Sequence, residues 1–440
     1  MYLSSLGCAR NLVDSEIMLG QIAEDGFPVT GDPSQADVII VNTCGFIESA
    51  AQESVDEILS LAEFKKSGHC RRLIVTGCLP ERYREALAGS LPEVDMFLGT
   101  GAYQQIAEAL HRPNSNTRCL LPSPDGLPLQ HCGTGRTLTT ASFAYLKVSE
   151  GCDRHCTYCI IPKLRGKLRS RTPEDVAMEA RKLISMNFKE IVIIGQDTGA
   201  YGRDLRPPVP LSRLLADVAD ISKDIRVRFL YGSPDTTDET LIRTVADHDN
   251  ICVYFDIPMQ HAAPLVLKRM GRNYNAGDLL RLVEHIRSVI PDAALRTTMM
   301  VGFPGETDKD FNELMKFAET VRFDHLGAFI YSDADDLPSH RLSNHVPKKI
   351  AKERHHALMS AQAGWSEGKN QKYIGRTFRV LVEEQVEEGL YAGRTWFQAP
   401  EVDGIVYIDA QDRKNAFRVS EFADIRITDA LEYDLRGVTA

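Results

Sequence analysis

Short apolar runs alternate with longer segments of helical spacing in the first 112 residues. The runs predict four strands, the last of them weak, at 2–6, 37–42, 72–76 and 95–98. The segments between them predict helices at 11–24, 46–64 and 80–91. This alternation is typical of a parallel sheet covered by helices, so residues 1–112 are expected to form an open α/β domain.

A second alternating series begins at Phe143. It predicts six further strands, at 144–148, 191–195, 227–231, 253–257, 295–301 and 327–331. Six strand–helix units favour a partial (βα)6 barrel over a closed eight-stranded one. The segment 113–140, which contains four prolines and lacks apolar periodicity, is expected to be a linker.

The hydrophobic period changes again towards the carboxyl end. A charged, alanine-rich helix is predicted at about 348–370, and strands with a period of two follow it at 377–382, 404–408 and 417–427. These strands predict a small antiparallel barrel. We therefore expect an α/β protein of three domains and a linker, with boundaries at 1–112, 113–140, 141–371 and 372–440.

The charge of the 440-residue chain narrows the choice of partners. Its formal net charge of −10 argues against binding nucleic acid through the overall field, although a local basic face could do so, and it would attract a basic protein. No apolar run approaches the roughly 20 residues of a membrane span. The first residues also lack the basic and apolar regions of a secretory signal, so we expect a cytoplasmic protein without a membrane partner.

Ten cysteines in a reducing compartment are best interpreted as metal or catalytic sites before disulfides. Cys152, Cys156 and Cys159 follow the first predicted barrel strand within one short loop. Three neighbouring thiolates can hold three corners of a cubane iron–sulfur cluster and leave its fourth iron open to a substrate. Structural zinc is the alternative, but it needs a fourth nearby ligand.

A second group of cysteines is dispersed along the first domain. Cys8, Cys44 and Cys78 each follow one of its first three predicted strands. Because the carboxyl ends of parallel strands share one edge, the three thiols are expected to converge and hold a second cluster. The alternative is three small buried thiols. The other cysteines lack matching partners and are interpreted as structural: Cys70, Cys119, Cys132 and Cys252.

The C-x3-C-x2-C spacing, with Tyr158 before the last cysteine, resembles the radical S-adenosylmethionine (SAM) superfamily. The resemblance implies that the amino and carboxylate groups of SAM bind the open iron. It also implies that an electron from the reduced cluster cleaves SAM to a 5′-deoxyadenosyl radical, which abstracts hydrogen from unactivated carbon.

Two such cysteine groups together resemble the methylthiotransferases, which combine a cluster domain, a radical SAM barrel and a TRAM domain. The segments LGCARNLVDSE (6–16), NTCGFI (42–47) and VGFPGET (301–307) look like the RimO-type branch, which modifies ribosomal small-subunit protein twelve. The resemblance implies two [4Fe-4S] clusters, two SAM molecules, an electron donor and an aspartate β-carbon as the target. The transfer RNA branch, which performs the same chemistry on adenosine, is the alternative.

The charge of the last domain bears on that choice. Residues 376–440 contain thirteen acidic and eight basic side chains, a net charge of −5. A domain that grips an RNA backbone is expected to be basic, whereas an acidic one suits a basic ribosomal protein. Transfer RNA is therefore not the expected partner, although the acidic surface could also have no binding role.

Further cofactor contacts are expected at the ends of the barrel strands. Gln196 and Asp197 end the second strand, where a ribose hydroxyl could be held. The segment 165–171, RGKLRSR, supplies four cations after the cluster loop, and Arg169 is assigned to cofactor binding. These cations could neutralise the SAM carboxylate or grip a substrate aspartate; equally, they could form an exposed approach to a helix.

Overall fold

The computed structural model describes residues 1–111, 118–129, 135–410 and 417–440. The amino-terminal part is an all-parallel sheet in the order β1-β2-β3-β4-β5. Its strands are β1 (Tyr2–Ser5), β2 (Val38–Thr43), β3 (Arg72–Gly77), β4 (Met96–Leu98) and β5 (Cys119–Leu120). Its helices are α1 (Ala9–Glu24), α2 (Glu48–Ala62), α3 (Phe64–Ser67), α4 (Cys78–Ser90) and α5 (Ile106–His111).

The central strands of this sheet are almost continuously apolar, because helices cover both of their faces. Ile40 packs with α1 on one side and Ile39 with α2 on the other. The edge strand β5 lies inside the predicted linker, and its two residues are too few to give a periodic signal. The remaining linker positions 113–117 and 130–134, including Cys132, fall outside the described residues.

Six parallel strands form the partial barrel, as two sheets in the orders β10-β9-β6 and β11-β12-β13. A bridge between Val227 and Ile251 joins the two sheets. The six strands are β6 (Phe143–Lys147), β9 (Glu190–Ile194), β10 (Arg226–Phe229), β11 (Tyr254–Asp256), β12 (Ala294–Val301) and β13 (His325–Ile330). Each matches a predicted strand. A small extra ladder pairs β7 (Ser149–Glu150) with β8 (Arg169–Ser170).

Helices follow the barrel strands; all of them except α6, which packs against α4, lie around the barrel. They are α6 (Ile161–Arg165), α7 (Pro173–Ser185), α8 (Leu211–Ala219), α9 (Glu239–Ala246), α10 (Pro264–Arg269), α11 (Ala276–Val289), α12 (Asp308–Val321) and α13 (Lys348–Asn370). The main hydrophobic core lies between these helices and the outward faces of the strands. Helix α13 matches its predicted range. No helix among the described residues combines the length and the apolar character that crossing a membrane requires.

The carboxyl-terminal domain is a closed barrel in the order β14-β15-β16-β18-β17. Its strands are β14 (Thr377–Glu387), β15 (Leu390–Arg394), β16 (Val406–Asp409), β17 (Phe422–Ala430) and β18 (Leu435–Thr439). Strands β15 and β18 are absent from the sequence prediction, because each is short and contains a glycine, Gly393 or Gly437, that interrupts the apolar alternation.

The loop between β15 and β16 closes the amino-terminal end of the larger barrel. Asp403 accepts a hydrogen bond from the hydroxyl of Tyr254 at 2.6 Å and pairs with Arg296 at 3.2 Å. Glu401 accepts a hydrogen bond from the hydroxyl of Tyr145 at 2.6 Å. We call this loop, residues 395–405, the barrel floor. It leaves the opposite end, where the strands finish, free for chemistry.

Candidate active site

The dispersed cysteines meet at the carboxyl edge of the amino-terminal sheet. Cys44 and Cys78 directly follow β2 and β3, and Cys8 follows the neighbouring strand β1 after two intervening residues. The turns are closely packed: a Cβ added to Gly7 would lie 3.4 Å from Cys44 Sγ. Gly77 has a φ of 97° and its added Cβ would lie 2.4 Å from Asn42 Oδ1, so the residue before Cys78 has to be glycine.

The second group of cysteines lies on the loop that follows β6 and β7. Backbone bonds fix this loop: Cys152 N donates to Gly166 O at 3.1 Å, and Thr157 N donates to Met270 O at 3.2 Å. Cys152 and Cys156 are buried, whereas Cys159 is partly exposed. The loop is therefore held between α6 and α10, which positions its three thiols.

Both groups can be tested against the metal they were predicted to hold. A single zinc ion with Zn–S distances of about 2.3 Å needs its sulfurs within roughly 4 Å of one another. Within the described parts of the chain, no set of three histidine, cysteine or acidic side chains is arranged around one such point. Cysteines of a cubane bind separate irons and stand further apart. Each group supplies three free thiols, which is the donor set of a cubane with one open iron.

The thiols differ in their electrostatic surroundings. Burial raises the pKa of Cys78 and of Cys152 to about 11 and that of Cys159 to about 12. Burial acts in the same direction on Cys8, but the guanidinium groups of Arg10 and Arg165 outweigh it and lower the pKa of that thiol. Because most of these thiols are neutral without metal, loading either group would release protons.

A buried charge network joins the two groups of cysteines. Arg165 Nη2 lies 3.6 Å from Cys78 Sγ, and Arg165 Nη1 donates to Asp14 Oδ2 at 2.5 Å. Lys147 Nζ donates to Glu150 Oε2 at 2.8 Å and also binds Asp14. Burial opposes ionisation of Glu150, yet Lys147 and Arg165 lower its pKa to about 2. Two cations thus balance two carboxylates between α1 and the barrel, which fixes the two sites relative to each other.

Arg10 extends from α1 to the carboxyl ends of the barrel strands. Its Nη1 donates to the carbonyl oxygen of Gly195 at 3.0 Å. Its guanidinium carbon lies 4.2 Å from the centre of the Tyr231 ring. Gly195 and Tyr231 lie just beyond β9 and β10. The side chain therefore reaches from the turn of Cys8 into the mouth of the barrel.

The three predicted cofactor residues have different surroundings. Gln196 donates to Glu150, and Asp197 binds Arg154, so both lie beside the cluster loop. Arg169 instead donates to the carbonyls of Leu127 at 2.5 Å and Pro124 at 2.7 Å. Its guanidinium is committed to the segment that precedes the barrel, which leaves its assignment to the cofactor without support from these contacts.

Unsatisfied polar atoms mark the place where a ligand fits. Four buried side-chain oxygens near the ends of β6 and β9 have no hydrogen-bond partner among the described residues: Ser149 Oγ, Gln196 Oε1, Asp197 Oδ1 and Thr198 Oγ1. Buried polar groups are normally paired, and each orphan costs about 1–3 kcal/mol. A polar molecule such as SAM would supply their partners, so the residues present fit that cofactor.

The basic segment 165–171 does not form an exposed approach to a helix. Arg165 is buried beside Cys78, and Arg171 is buried with Asp175 at 2.6 Å and Glu179 at 2.5 Å. Sequence reasoning missed the acidic partners of these arginines. The signal available was the presence of Lys147 and Glu150 in an otherwise apolar stretch, where an unpaired charge would be too costly.

Family models match all three domains. Residues 1–99 match "Uncharacterized protein family UPF0004", residues 146–318 match the radical SAM superfamily, and residues 374–439 match the TRAM domain. Among solved structures, the radical SAM methyltransferase TsrM from Kitasatospora setae has a TM-score of 0.58 at 13% identity. That similarity covers 77% of this chain and 76% of TsrM, and it supports the α/β barrel fold that the sequence predicts.

Full-length relatives are much closer in sequence. A protein of Desulfosudis oleivorans named "Ribosomal protein uS12 methylthiotransferase RimO" is 53% identical, over 99% of both chains. A protein of the same name from Clostridioides difficile is 49% identical over 99% of this chain and 97% of its own. The sequence resemblance to the RimO-type branch is thereby confirmed, and the chain belongs to the RimO family of radical SAM methylthiotransferases.

Proposed function

We propose that this protein inserts a methylthio group at the β-carbon of an aspartate in ribosomal small-subunit protein twelve, using two molecules of SAM. The observation that carries the proposal is the joining of two cysteine groups, one on each domain, through the network of Asp14, Arg165 and Glu150. Two sites held at a fixed spacing suit a reaction that removes a hydrogen at one and delivers sulfur from the other.

We assign one [4Fe-4S] cluster to Cys152, Cys156 and Cys159 and a second to Cys8, Cys44 and Cys78. When bound, the first supplies reductive cleavage of SAM and the second an open iron for the sulfur that is transferred. Reduction requires an external electron donor. Three protein ligands at each site leave room for SAM at one and for the sulfur at the other.

The surrounding residues bind and orient the reactants. Gln196 and Asp197, each with one unpartnered oxygen, would hold polar groups of SAM at the ends of β9. Arg154 fixes Asp197 and also pairs with Asp235 at 2.9 Å, so this carboxylate is held in place before SAM arrives. Cys152 and Cys156 are buried, so the residues that would hold this cluster are shielded from bulk solvent.

The acidic carboxyl-terminal domain would receive the substrate. Its net charge of −5 complements a ribosomal protein rich in lysine and arginine, and opposite charges speed encounter. Because RNA binding calls for a basic surface, transfer RNA is the less favoured substrate of this chemistry. The reaction would take place in the cytoplasm, where the ribosomal protein is made.

The test is anaerobic turnover after reconstitution with iron and sulfide. A peptide carrying the substrate loop of protein twelve and an unmodified adenosine-containing transfer RNA are offered in parallel, with SAM and dithionite. We expect mass spectrometry to detect the gain of one SCH2 unit on the peptide alone. Gain on the RNA alone would overturn the choice of substrate and leave the chemistry intact.

A further inference from the structure

We propose that Arg10 determines specificity by binding the side-chain carboxylate of the substrate aspartate. This inference rests on the proposed function, because it assigns a residue to the recognition of that substrate. It is carried by three observations: the position of the guanidinium, its lack of an acidic partner and the way its plane is fixed.

Arg10 lies where the two reactive sites face each other. It is two residues beyond Cys8, and its Nη1 is hydrogen-bonded to the carbonyl oxygen of Gly195. The next residue, Gln196, contacts Glu150, which directly precedes the turn to Cys152. A substrate atom beside the guanidinium would thus be flanked by the turns of both cysteine groups.

Three other arginines around the mouth of the barrel are paired with carboxylates. Arg154 pairs with Asp197 and Asp235, Arg165 with Asp14, and Arg171 with Asp175. Arg10 forms no ion pair with any carboxylate in the described parts of the chain; its one hydrogen bond to oxygen is to a neutral carbonyl. The ionisable groups beside Arg10 are the Cys8 thiol and the Tyr231 hydroxyl. A substrate aspartate would supply the carboxylate partner that Arg10 lacks.

The guanidinium is also held in a fixed orientation. Stacking on the Tyr231 ring at 4.2 Å defines its plane, and the bond to Gly195 defines its rotation within that plane. Its remaining N–H groups are therefore directed before the substrate binds. A planar, oriented fork suits a carboxylate, which it can bind through two parallel hydrogen bonds, better than it suits a neutral amide or a base.

Anchoring the carboxylate positions the reacting carbon. In aspartate, the β-carbon is bonded directly to the carboxylate carbon, so fixing one restricts the other to a small volume. A glutamate anchored in the same way would present its γ-carbon there instead. Arg10 would therefore select both for the charge and for the length of the side chain.

A carboxylate is also present in SAM, and it could occupy the same guanidinium. The two sources predict different losses when Arg10 is changed. If the carboxylate belongs to the substrate, SAM binding and the slow cleavage of SAM without peptide are untouched. If it belongs to SAM, both are impaired and the affinity for peptide is unchanged.

The experiment compares Arg10→Met, which keeps an unbranched chain, with Arg10→Lys and with Arg203→Met, a control at an exposed arginine of the loop after β9. Iron content and thermal unfolding verify that each variant is folded and loaded. Peptides carrying aspartate, asparagine or glutamate at the target position are used for binding by fluorescence anisotropy and for turnover. SAM binding and peptide-free SAM cleavage are measured separately.

We expect Arg10→Met to weaken binding of the aspartate peptide by about 100-fold, the range of a charged hydrogen bond, and to abolish the preference for aspartate over asparagine. Arg10→Lys should retain part of the preference and Arg203→Met all of it. An unchanged preference in Arg10→Met would overturn the inference, as would impaired SAM binding with normal peptide binding. If the wild-type protein leaves the aspartate peptide unmodified, the proposed function is wrong, and the inference that rests on it is wrong as well.

Discussion

The two groups of cysteines each bring three thiols together, one through a single loop and the other through three strands of a sheet. Cys152, Cys156 and Cys159 lie within eight residues on a single loop, whereas Cys8, Cys44 and Cys78 span 71 residues and three strands. The local group keeps its spacing through the loop itself. The dispersed group depends on the register of a whole sheet, in which Asn42 is aligned with Ser5 on one side and Thr76 on the other.

The environments differ as well. Arg165 of the barrel and Arg10 place positive charge beside Cys78 and Cys8. The positive charge near the local group comes from Arg154 of its own loop and from Arg272, which donates to the Tyr158 hydroxyl at 2.6 Å and 3.1 Å. A dispersed site thus relies on long-range ion pairs from the neighbouring domain. A local site relies on its own loop and its nearest helices, so the two should fail under different perturbations.

The strongest test of this contrast removes each group separately. Replacing Cys8, Cys44 and Cys78 together by alanine should halve the iron content and abolish product, yet leave SAM cleavage. Replacing Cys152, Cys156 and Cys159 should also halve the iron but abolish both activities. Iron analysis and chromatography of cleaved SAM measure these results; loss of all iron in either variant would show that the sites do not assemble independently.

A single methyl group added beside one group of cysteines should remove the iron of that group and leave the other group intact. Gly77→Ala places Cβ 2.4 Å from Asn42 Oδ1, and Gly151→Ala places it 2.0 Å from Lys167 O; both glycines have positive φ. We expect each variant to lose the iron of its adjacent group only, up to half the total. Gly89→Ala, with no atom within 4 Å of the added Cβ, is the matched control and should keep all its iron.

Removing the cation shared by Asp14 and Glu150 should lower the stability of the folded protein. Arg165→Gln leaves Asp14 and Glu150 with one buried cation between them, and breaking such a pair costs about 3–5 kcal/mol. Denaturant unfolding of the metal-free protein measures this loss. The control Lys163→Gln changes a half-exposed side chain on the same helix and should be nearly neutral. Equal losses from the two variants would contradict the role given to the network.

Acid should loosen the barrel before it loosens the amino-terminal domain. His261 is fully buried, and burial lowers its pKa to about 4, so the folded state keeps it neutral. A base with a lower pKa in the folded state stabilises that state above its unfolded pKa of 6.5. The stability is lost as the pH falls towards 4, by about 3 kcal/mol.

Unfolding free energies at pH 7, 5.5 and 4.5 test this expectation, with His261→Gln predicted to flatten the decline. The exposed His69 of the amino-terminal domain provides the control, and His69→Gln should leave the pH profile unchanged. A wild-type profile as flat as that of His261→Gln would refute the assignment.

Sequence patterns predict the strands of this protein well where apolar runs are long and bounded by turns. All six barrel strands and the order of cysteines after β1, β2 and β3 follow from such runs. Strands β5, β15 and β18 do not, because two to five residues with glycine or polar neighbours carry no period. The limits of the domains at 112, 140 and 371 stay predictions.

The site is predictable only in part, for a different reason. Cysteine spacing identifies thiols that can share a cluster, because the chemistry demands those residues. Partners such as Asp14 for Arg165, 151 residues away in the chain, depend on how two domains pack. Arg169 illustrates the limit: its charge indicated a ligand, but its position directs the guanidinium to the carbonyls of Leu127 and Pro124.

The barrel floor has a consequence for the order in which the molecule is made. Glu401 of the floor binds Tyr145 across 256 positions of the chain, and Arg394, which ends β15 just before the floor, binds Glu190 across 204. The ribosome synthesises the barrel strands well before residues 394 and 401. The amino-terminal end of the nascent barrel therefore stays open until the last domain has been made. Besides these polar groups, that end carries Tyr145, Val192 and Tyr254, which share one hydrophobic core with Phe397 and Ala399 in the finished fold. The open barrel therefore exposes apolar surface that favours aggregation until the floor closes it.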